Sequence, residues 1–274
     1  MKTWFITGAS RGFGARITQL ALERGDNVVA TARNPKSITE SLGEMPNLLA
    51  VALDVTDEPQ AREAAAAAIE RFGGVDVLLN NAGFGLIGAV EEATSAEVER
   101  LYRTNVFGLL TVTRAVLQHM RAKRSGRILN ISSIGGYRAG AGFGIYCSTK
   151  FAVEGLSEAL HAELAPLGIH VTVIEPGYFR TDFLDASSLS ASATRISDYD
   201  GTAGAVREHA AAMNHNQPGD PEKFARQLVA FADVPEPPVR MPFGGDTVAA
   251  IAAKHMSDDE IIRRWREVSV STDF

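Results

Sequence analysis

Residues 3–14, Thr3-Trp4-Phe5-Ile6-Thr7-Gly8-Ala9-Ser10-Arg11-Gly12-Phe13-Gly14, run without a break into Ala15-Arg16-Ile17-Thr18-Gln19-Leu20-Ala21-Leu22. The first five residues read as a short apolar strand, and the last eight are apolar at helical spacing. A strand, a glycine turn and a helix in that order gather backbone N–H groups and a positive helix end at one point, where a pyrophosphate can bind. Gly8 permits the tight turn, Gly12 the close approach of a phosphate, and Gly14 the packing of helix on strand. Ser10, Arg11 and Phe13 complete the loop. The spacing Gly-x-x-x-Gly-x-Gly departs from the commoner dinucleotide fingerprint, and glycines serving only a tight turn would read the same way.

The alternation continues downstream. Strands are expected at 27–32, 48–53, 75–79, 127–132 and 170–174, and helices at 58–72, over 94–124 as two consecutive pieces, and from 146 to about 167. This order predicts an α/β fold, a doubly wound parallel (Rossmann-type) sheet of about seven strands with helices on both faces, forming one domain over 1–274. Residues 178–217 are irregular and rich in Ser and Ala, with Phe179, Phe183, Leu184 and Leu189 scattered among them. Such an insertion reads as a mobile lid over an apolar substrate. A helix over 221–233, a short strand over 239–242 and a last helix over 246–254 follow. The tail, 255–274, is charged and partly amphipathic, with Trp265 packing on the body or on a neighbouring subunit.

The second strand ends in Arg33-Asn34-Pro35, where a cofactor with a free ribose 2′-hydroxyl would call for a carboxylate. Arg33 instead suits a 2′-phosphate, being permanently charged and forked, and Arg11 offers a second cation, so NADP(H) is expected over NADH. Asp54, with Val55 beside it, either caps the adenine or only forms a turn. Asn80-Asn81-Ala82-Gly83 closes the fourth strand at the crevice where such sheets bind ligands. Asn80 can equally hold neighbouring strands together. Asn105 is an oddity in a helical stretch: it caps or bends the helix, or points into the site and holds a water.

Tyr146 and Lys150 are one helical turn apart and share a face. A phenol titrates near about 10, so acting near neutrality asks for a fall of roughly 2 to 3 units, about 3 to 4 kcal/mol. A positive charge about 5 Å away at an effective dielectric of about 20 supplies roughly 3 kcal/mol. Tyr-x-x-x-Lys arises by accident about 0.1 times in a chain of this composition, so its weight depends on its surroundings. Ser133 closes the fifth strand, where its hydroxyl would lie beside the amino end of the Tyr146 helix and grip the same substrate oxygen. Pro176-Gly177 would abut a nicotinamide ring, with Thr181 bonding its carboxamide or a nearby phosphate.

Composition narrows the field. With 45% apolar residues the chain can bury a large core, and its net charge of -6 argues against nucleic acid as a default partner. A single cysteine, Cys147, excludes an intrachain disulfide and fits a reducing cytoplasm. Met1 to Ile6 run straight into the glycine turn, which leaves no room for a signal peptide, and no apolar run is long enough to span a membrane. Six scattered histidines propose no metal site.

Taken together, Thr7 to Gly14, Asn80 to Gly83, Asn105, Ser133, Tyr146 with Lys150, and Pro176-Gly177 with Thr181 resemble the single-domain branch of the short-chain dehydrogenase/reductase family. The resemblance covers residues 3 to 250, with every motif in order. It implies that Tyr146 is the general acid and base, and that Ser133 bonds the substrate oxygen. Lys150 would lower the phenol's pKa and bond the nicotinamide ribose, and Asn105 would position a water beside it. It further implies that Gly8, Ser10, Arg11, Gly12, Phe13, Gly14, Arg33, Asp54, Val55, Asn81, Ala82, Gly83, Pro176, Gly177 and Thr181 line the cofactor. Cys147 replaces the usual small residue after the tyrosine and reads as a packing thiol. The segment from Ile174 to Phe183 is similar to the subgroup holding steroid and retinol dehydrogenases and many bacterial enzymes. The expected activity is an NADP(H)-dependent oxidation or reduction of a fairly apolar secondary alcohol or ketone, by a homodimer or homotetramer. The alternative is a non-catalytic NADP-binding regulatory protein, which the loss of a catalytic residue would favour; none is lost.

Overall fold

The computed structural model describes residues 1–274. In chain order the elements are β1 (Thr3–Thr7), α1 (Gly12–Glu23), β2 (Asn27–Ala32), α2 (Lys36–Leu42), β3 (Leu48–Ala52), α3 (Glu58–Phe72), β4 (Val77–Asn80), β5 (Gly85–Ile87) and α4 (Ser95–Tyr102). They continue as α5 (Leu109–Lys123), β6 (Gly126–Ile131), α6 (Gly144–Leu164), β7 (Ile169–Pro176), β8 (Leu189–Ala191), α7 (Ala205–Met213), α8 (Pro221–Phe231), β9 (Arg240–Phe243) and α9 (Gly245–Val270).

Seven strands form one sheet in the order β3-β2-β1-β4-β6-β7-β9, with every pairing parallel. The apolar runs of the sequence follow from burial on both faces. Along β1, Trp4 and Ile6 enter one core cluster while Phe5 enters the other; along β4, Val77 and Leu79 face the first and Leu78 the second. The first cluster lies under α1 and α8, through Ile17, Ala21, Phe224 and Leu228. The second lies under α3 and α5, through Ala61, Ala65, Val112 and Val116. The chain reverses direction of winding between β1 and β4, and the crevice beyond their carboxyl ends is where the glycine turn, Asn80 and the ends of β6 and β7 meet.

Local chemistry sets the helix ends. Asp57 accepts from the Gln60 N–H ahead of α3, and Gly73 ends that helix at φ +78°. Thr94 and Glu97 form a reciprocal capping box on α4. By contrast no side chain caps α1.

The sheet matches the expected count, and several boundaries differ from expectation. The stretch 94–124 is one rod interrupted by a wide π-helical turn, Arg103–Gly108, which carries Asn105. The segment 178–217 is more ordered than its composition suggests: β8 pairs with β5 in a second, two-stranded sheet, and α7 follows. The last helix runs on from the expected end at 254 to Val270, since no Gly or Pro interrupts residues 246–270. Its final turns leave the body, and Trp265 is 54% exposed.

Candidate active site

One cleft of about 1460 Å³ runs along the carboxyl ends of the strands. At one end the glycine turn brings β1 into α1. Gly8 and Gly12 adopt φ of +65° and +56°, the left-handed region that glycine tolerates. Gly14 packs rather than lines: a Cβ there would strike the Gly8 carbonyl oxygen and lie 2.7 Å from Asn81 Nδ2. Asn81 in turn donates from Nδ2 to the Thr7 and Gly8 carbonyls at 2.9 and 3.1 Å, locking the turn onto β4. Phe13 stacks against Phe179 and Phe224, with ring centroids 5.5 and 4.1 Å away.

These residues fit a dinucleotide. The first N–H groups of α1 have no side-chain cap and face the cleft beside two left-handed glycines, a ready anion cradle. Arg33 lines the cleft at the end of β2, exposed, with Asn34 and Ser37 beside it. Arg11 also lines the cleft, but its Nη2 donates to the Ser187 carbonyl of the 178–217 segment at 2.6 Å. Asp54 lines it too, yet its carboxylate accepts from the Thr56 N–H and hydroxyl at 2.9 and 2.7 Å, the turn-forming bonds of its alternative reading. Ser10, Val55, Ala82, Gly83, Pro176, Gly177 and Thr181 are all on the same wall. Asn80 lies behind it and donates to Asn130 Oδ1 and Thr113 Oγ1, holding β4 to β6 and α5.

Midway along the cleft, Ser133, Tyr146 and Lys150 come together. Ser133 follows β6, where its hydroxyl accepts the Gly135 N–H at 3.0 Å; a Cβ on Gly135 would lie 3.5 Å from that hydroxyl and 3.6 Å from the Tyr146 ring, so the two side chains flank one small space. Tyr146 opens α6 in an apolar nest of Leu86, Leu101, Phe143 and Phe183. Lys150 is buried one turn on; its Nζ lies 5.7 Å from the centroid of the Tyr146 ring and donates to the Ile131 carbonyl at 2.9 Å. The electrostatics correct a simple expectation. Burial pushes the Tyr146 phenol above its ordinary value, outweighing the opposing pull of the nearby Ser133 hydroxyl, because a phenolate in that nest loses its hydration. Burial also brings Lys150 down to about 8, with Glu154 acting against it.

Asn105 sits apart from the cleft wall. Its amide donates to the Phe84 carbonyl at 2.9 Å and to Thr149 Oγ1 at 3.2 Å, and accepts the Phe84 N–H at 3.1 Å. Of the two readings of this residue, bending the helix describes these bonds: the π turn swings the amide toward the β5 strand. Gly83 lies between Asn105 Oδ1 and Lys150 Nζ, with a Cβ there 3.1 and 3.9 Å from the two atoms. Cys147 is buried, and burial raises its thiol, as suits a packing residue.

The 178–217 segment covers this centre with Phe183, Leu184, Val206 and His209. Beyond the Arg11–Ser187 bond, two further ties hold it down. One tie is the β5–β8 pairing. The other is Glu92, fully buried, which accepts from Arg207 Nη1 at 2.6 Å, the Ala89 N–H at 2.7 Å and the Ile196 N–H at 3.0 Å. The Arg207 hydrogen bond above all holds its carboxyl down to about 2. Sequence reading missed this tie, since 115 residues separate the partners and no spacing rule links them.

A model of the family described as short chain dehydrogenase matches residues 2–191. The chain belongs to the short-chain dehydrogenase family. This dehydrogenase is similar over its whole length to Oxidoreductase BOA17 of Botryotinia fuckeliana (strain B05.10), with 38% identity over 275 residues and 99% of each chain covered. Its fold superposes on the crystal structure of a short-chain dehydrogenase from Streptomyces avermitilis with a TM-score of 0.92, 39% identity and all of both chains covered. ElxO with NADP bound is also similar, at a TM-score of 0.75 and 26% identity over 91% of this chain and 100% of that one.

Proposed function

We propose that this dehydrogenase is an NADP(H)-dependent oxidoreductase acting between a secondary alcohol and its ketone, in the manner of a carbonyl reductase. The observation that carries the reading is the convergence of Ser133, Tyr146 and the buried Lys150 in one cleft, with the Lys150 ammonium against the phenol ring. Gly8, Gly12 and the uncapped start of α1 would hold the pyrophosphate, Arg33 the 2′-phosphate, and Lys150 the nicotinamide ribose. ElxO binding NADP supports the phosphorylated cofactor. NADPH, when bound, supplies the hydride.

In reduction, Tyr146 Oη gives its proton to the carbonyl oxygen, and Ser133 Oγ donates a hydrogen bond to the same oxygen as charge develops on it. In oxidation Tyr146 takes that proton back. A phenol whose pKa burial raises is a poor acid, and its phenolate is scarcely populated, so Lys150 in its ammonium form must favour the phenolate during the transfer. The apolar side chains of the 178–217 lid exclude water and select an apolar substrate. A homodimer or homotetramer pairing α5 and α6 between subunits would cover Phe107 and Phe151, 56% and 46% exposed. No helix is long and apolar enough to cross a membrane, and the lone buried thiol suits a cytoplasmic setting.

The test is a panel of ketones and alcohols followed through the absorbance of the reduced cofactor. Turnover with NADPH that Tyr146→Phe abolishes, with cofactor binding kept, is the expected result; near-normal rates in that variant would sink the mechanism.

A further inference from the structure

Directly behind Lys150 lies a buried charge cluster that the proposed chemistry does not use. Glu154, one helical turn beyond Lys150 on α6, and Glu175, near the end of β7, are 2% and 1% exposed. Both approach one nitrogen: Arg240 Nη1, from β9, is 2.5 Å from Glu154 Oε2 and 3.0 Å from Glu175 Oε1. The two carboxyl oxygens therefore cannot lie further apart than those two bonds laid end to end. Arg240 also serves Glu158 on the outer side of α6, at 2.9 Å through Nη2. One guanidinium thus faces three carboxyl groups, two of them without water. The Tyr137 ring covers Arg240 at 5.4 Å, and the Tyr137 hydroxyl meets His255 of α9 at the surface. The remaining wall is Ser132, the last residue before Ser133; its hydroxyl and Glu154 Oε1 are both buried without a hydrogen-bond partner and crowd the space a Gly136 side chain would need.

Two carboxylates this close and this dry cannot both ionise beside a single shared cation. We propose that Glu154 and Glu175 hold one proton between them over Arg240, and that this pair is a positioning device which sets the charge behind Lys150. Through Arg240 the pair ties α6, which carries Tyr146 and Lys150, to β9 and to the β7 end that leads into Pro176-Gly177, and it packs against Ser132 beside Ser133.

Burial raises both carboxyls and Arg240 acts against it at each, so the proton belongs to the pair. The sign of the effect on Lys150 follows. As pH rises through the titration of the pair, it gains a second negative charge, with Glu154 one helical turn from an ammonium that burial has brought down to about 8, and that charge keeps the ammonium protonated. Glu154 therefore extends the pH range over which Lys150 stays charged.

The shared proton is independent of what the enzyme reduces; its effect on turnover rests on the reductase reading. Infrared pH titration of the full chain reads the proton directly. At neutral pH the wild type should show a carboxylic-acid C=O band that both Glu154→Gln and Glu175→Gln lack, with circular dichroism confirming that each variant folds. In the kcat profile, Glu154→Gln should move the alkaline limb about one pH unit toward acid, while the neutral-pH rate changes far less. Absence of the band in wild type, or its persistence in both variants, overturns the shared proton. An alkaline limb unmoved in Glu154→Gln overturns the positioning role. A ketone panel without turnover tells against the reductase reading and leaves the infrared arm to decide the proton count.

Discussion

The side-chain amide of Asn105 and the backbone of Phe84 exchange two hydrogen bonds, 2.9 Å from amide to carbonyl and 3.1 Å from backbone N–H to Oδ1. A side chain here stands in for a neighbouring strand, and the π turn at Arg103–Gly108 is what delivers it. Asn105→Ala leaves both Phe84 groups without partners, which should cost about 2 to 4 kcal/mol in denaturant unfolding. Asn105→Asp keeps the acceptor and loses the donor, so it should fall between the two.

Lys150 supplies a pH dependence. Its ammonium, lowered to about 8 by burial, is the form the proposed proton transfer needs, so kcat should fall as pH rises past that value. For stability the sign is opposite. A lysine whose folded pKa lies below its unfolded value of 10.5 opposes folding while charged, and the penalty is relieved as pH climbs from about 8 toward 10.5. Activity and unfolding measured over this window should therefore diverge; parallel loss of both would contradict the assignment.

Arg33 should govern cofactor choice. Arg33→Ala removes a forked cation from the expected 2′-phosphate position and should lower kcat/KM for NADPH by about 10- to 100-fold, with little change for NADH. Equal use of the two cofactors by the wild type would reject this reading.

The Glu92–Arg207 pair should matter at low pH. With its carboxyl held at about 2 against 4.5 ordinarily, Glu92 contributes stability that is complete above about 4.5 and disappears as pH falls toward 2. Arg207→Met leaves Glu92 buried beside backbone donors alone. We expect Tm to drop by about 5 °C or more, and limited proteolysis to begin within residues 192–207. A variant as protease-resistant as the wild type would argue that the β5–β8 pairing alone secures the segment.

At Gly14 the prediction is steric. Gly14→Ala places a methyl group against the Gly8 carbonyl, and α1 must move away from β1 to admit it. A cost of about 1 to 3 kcal/mol is expected, together with weaker cofactor binding.

Much of this was legible in the sequence, for reasons that can be named. Strands buried on both faces leave continuous apolar runs, so β1, β2 and β4 stand out, and the glycine turn between β1 and α1 is a local device written in adjacent residues. Tyr146, Lys150 and Ser133 each sit at the edge of such an element. What was not legible depends on contacts between distant residues. Glu92 and Arg207 carry no local signal, and Arg240 reads as an ordinary strand-edge arginine until β9 pairs beside β7. The pKa of Tyr146 went the other way from a two-charge estimate because the estimate counted Lys150 and left out the burial of the phenol. The end of α9 was placed at 254 because the charged, partly amphipathic tail beyond it was read apart from the helix, although no Gly or Pro separates the two.

The segment over the cleft begins and ends at one place: the Gly219 N–H donates to the Tyr178 carbonyl at 3.0 Å, and the Arg180 N–H to the Gly219 carbonyl at 2.9 Å. Some forty residues leave the sheet and return to the same pair of backbone bonds. Closure entropy rises only with the logarithm of loop length, by about 0.6 kcal/mol for each doubling. Residues can therefore be added or removed between those two points without disturbing the order of the strands, so long as Phe183 keeps its place against Tyr146. The junction at Tyr178 and Gly219 is a graft site, where one excursion of the chain can be exchanged for another while the seven-stranded sheet and α6 stay where they are.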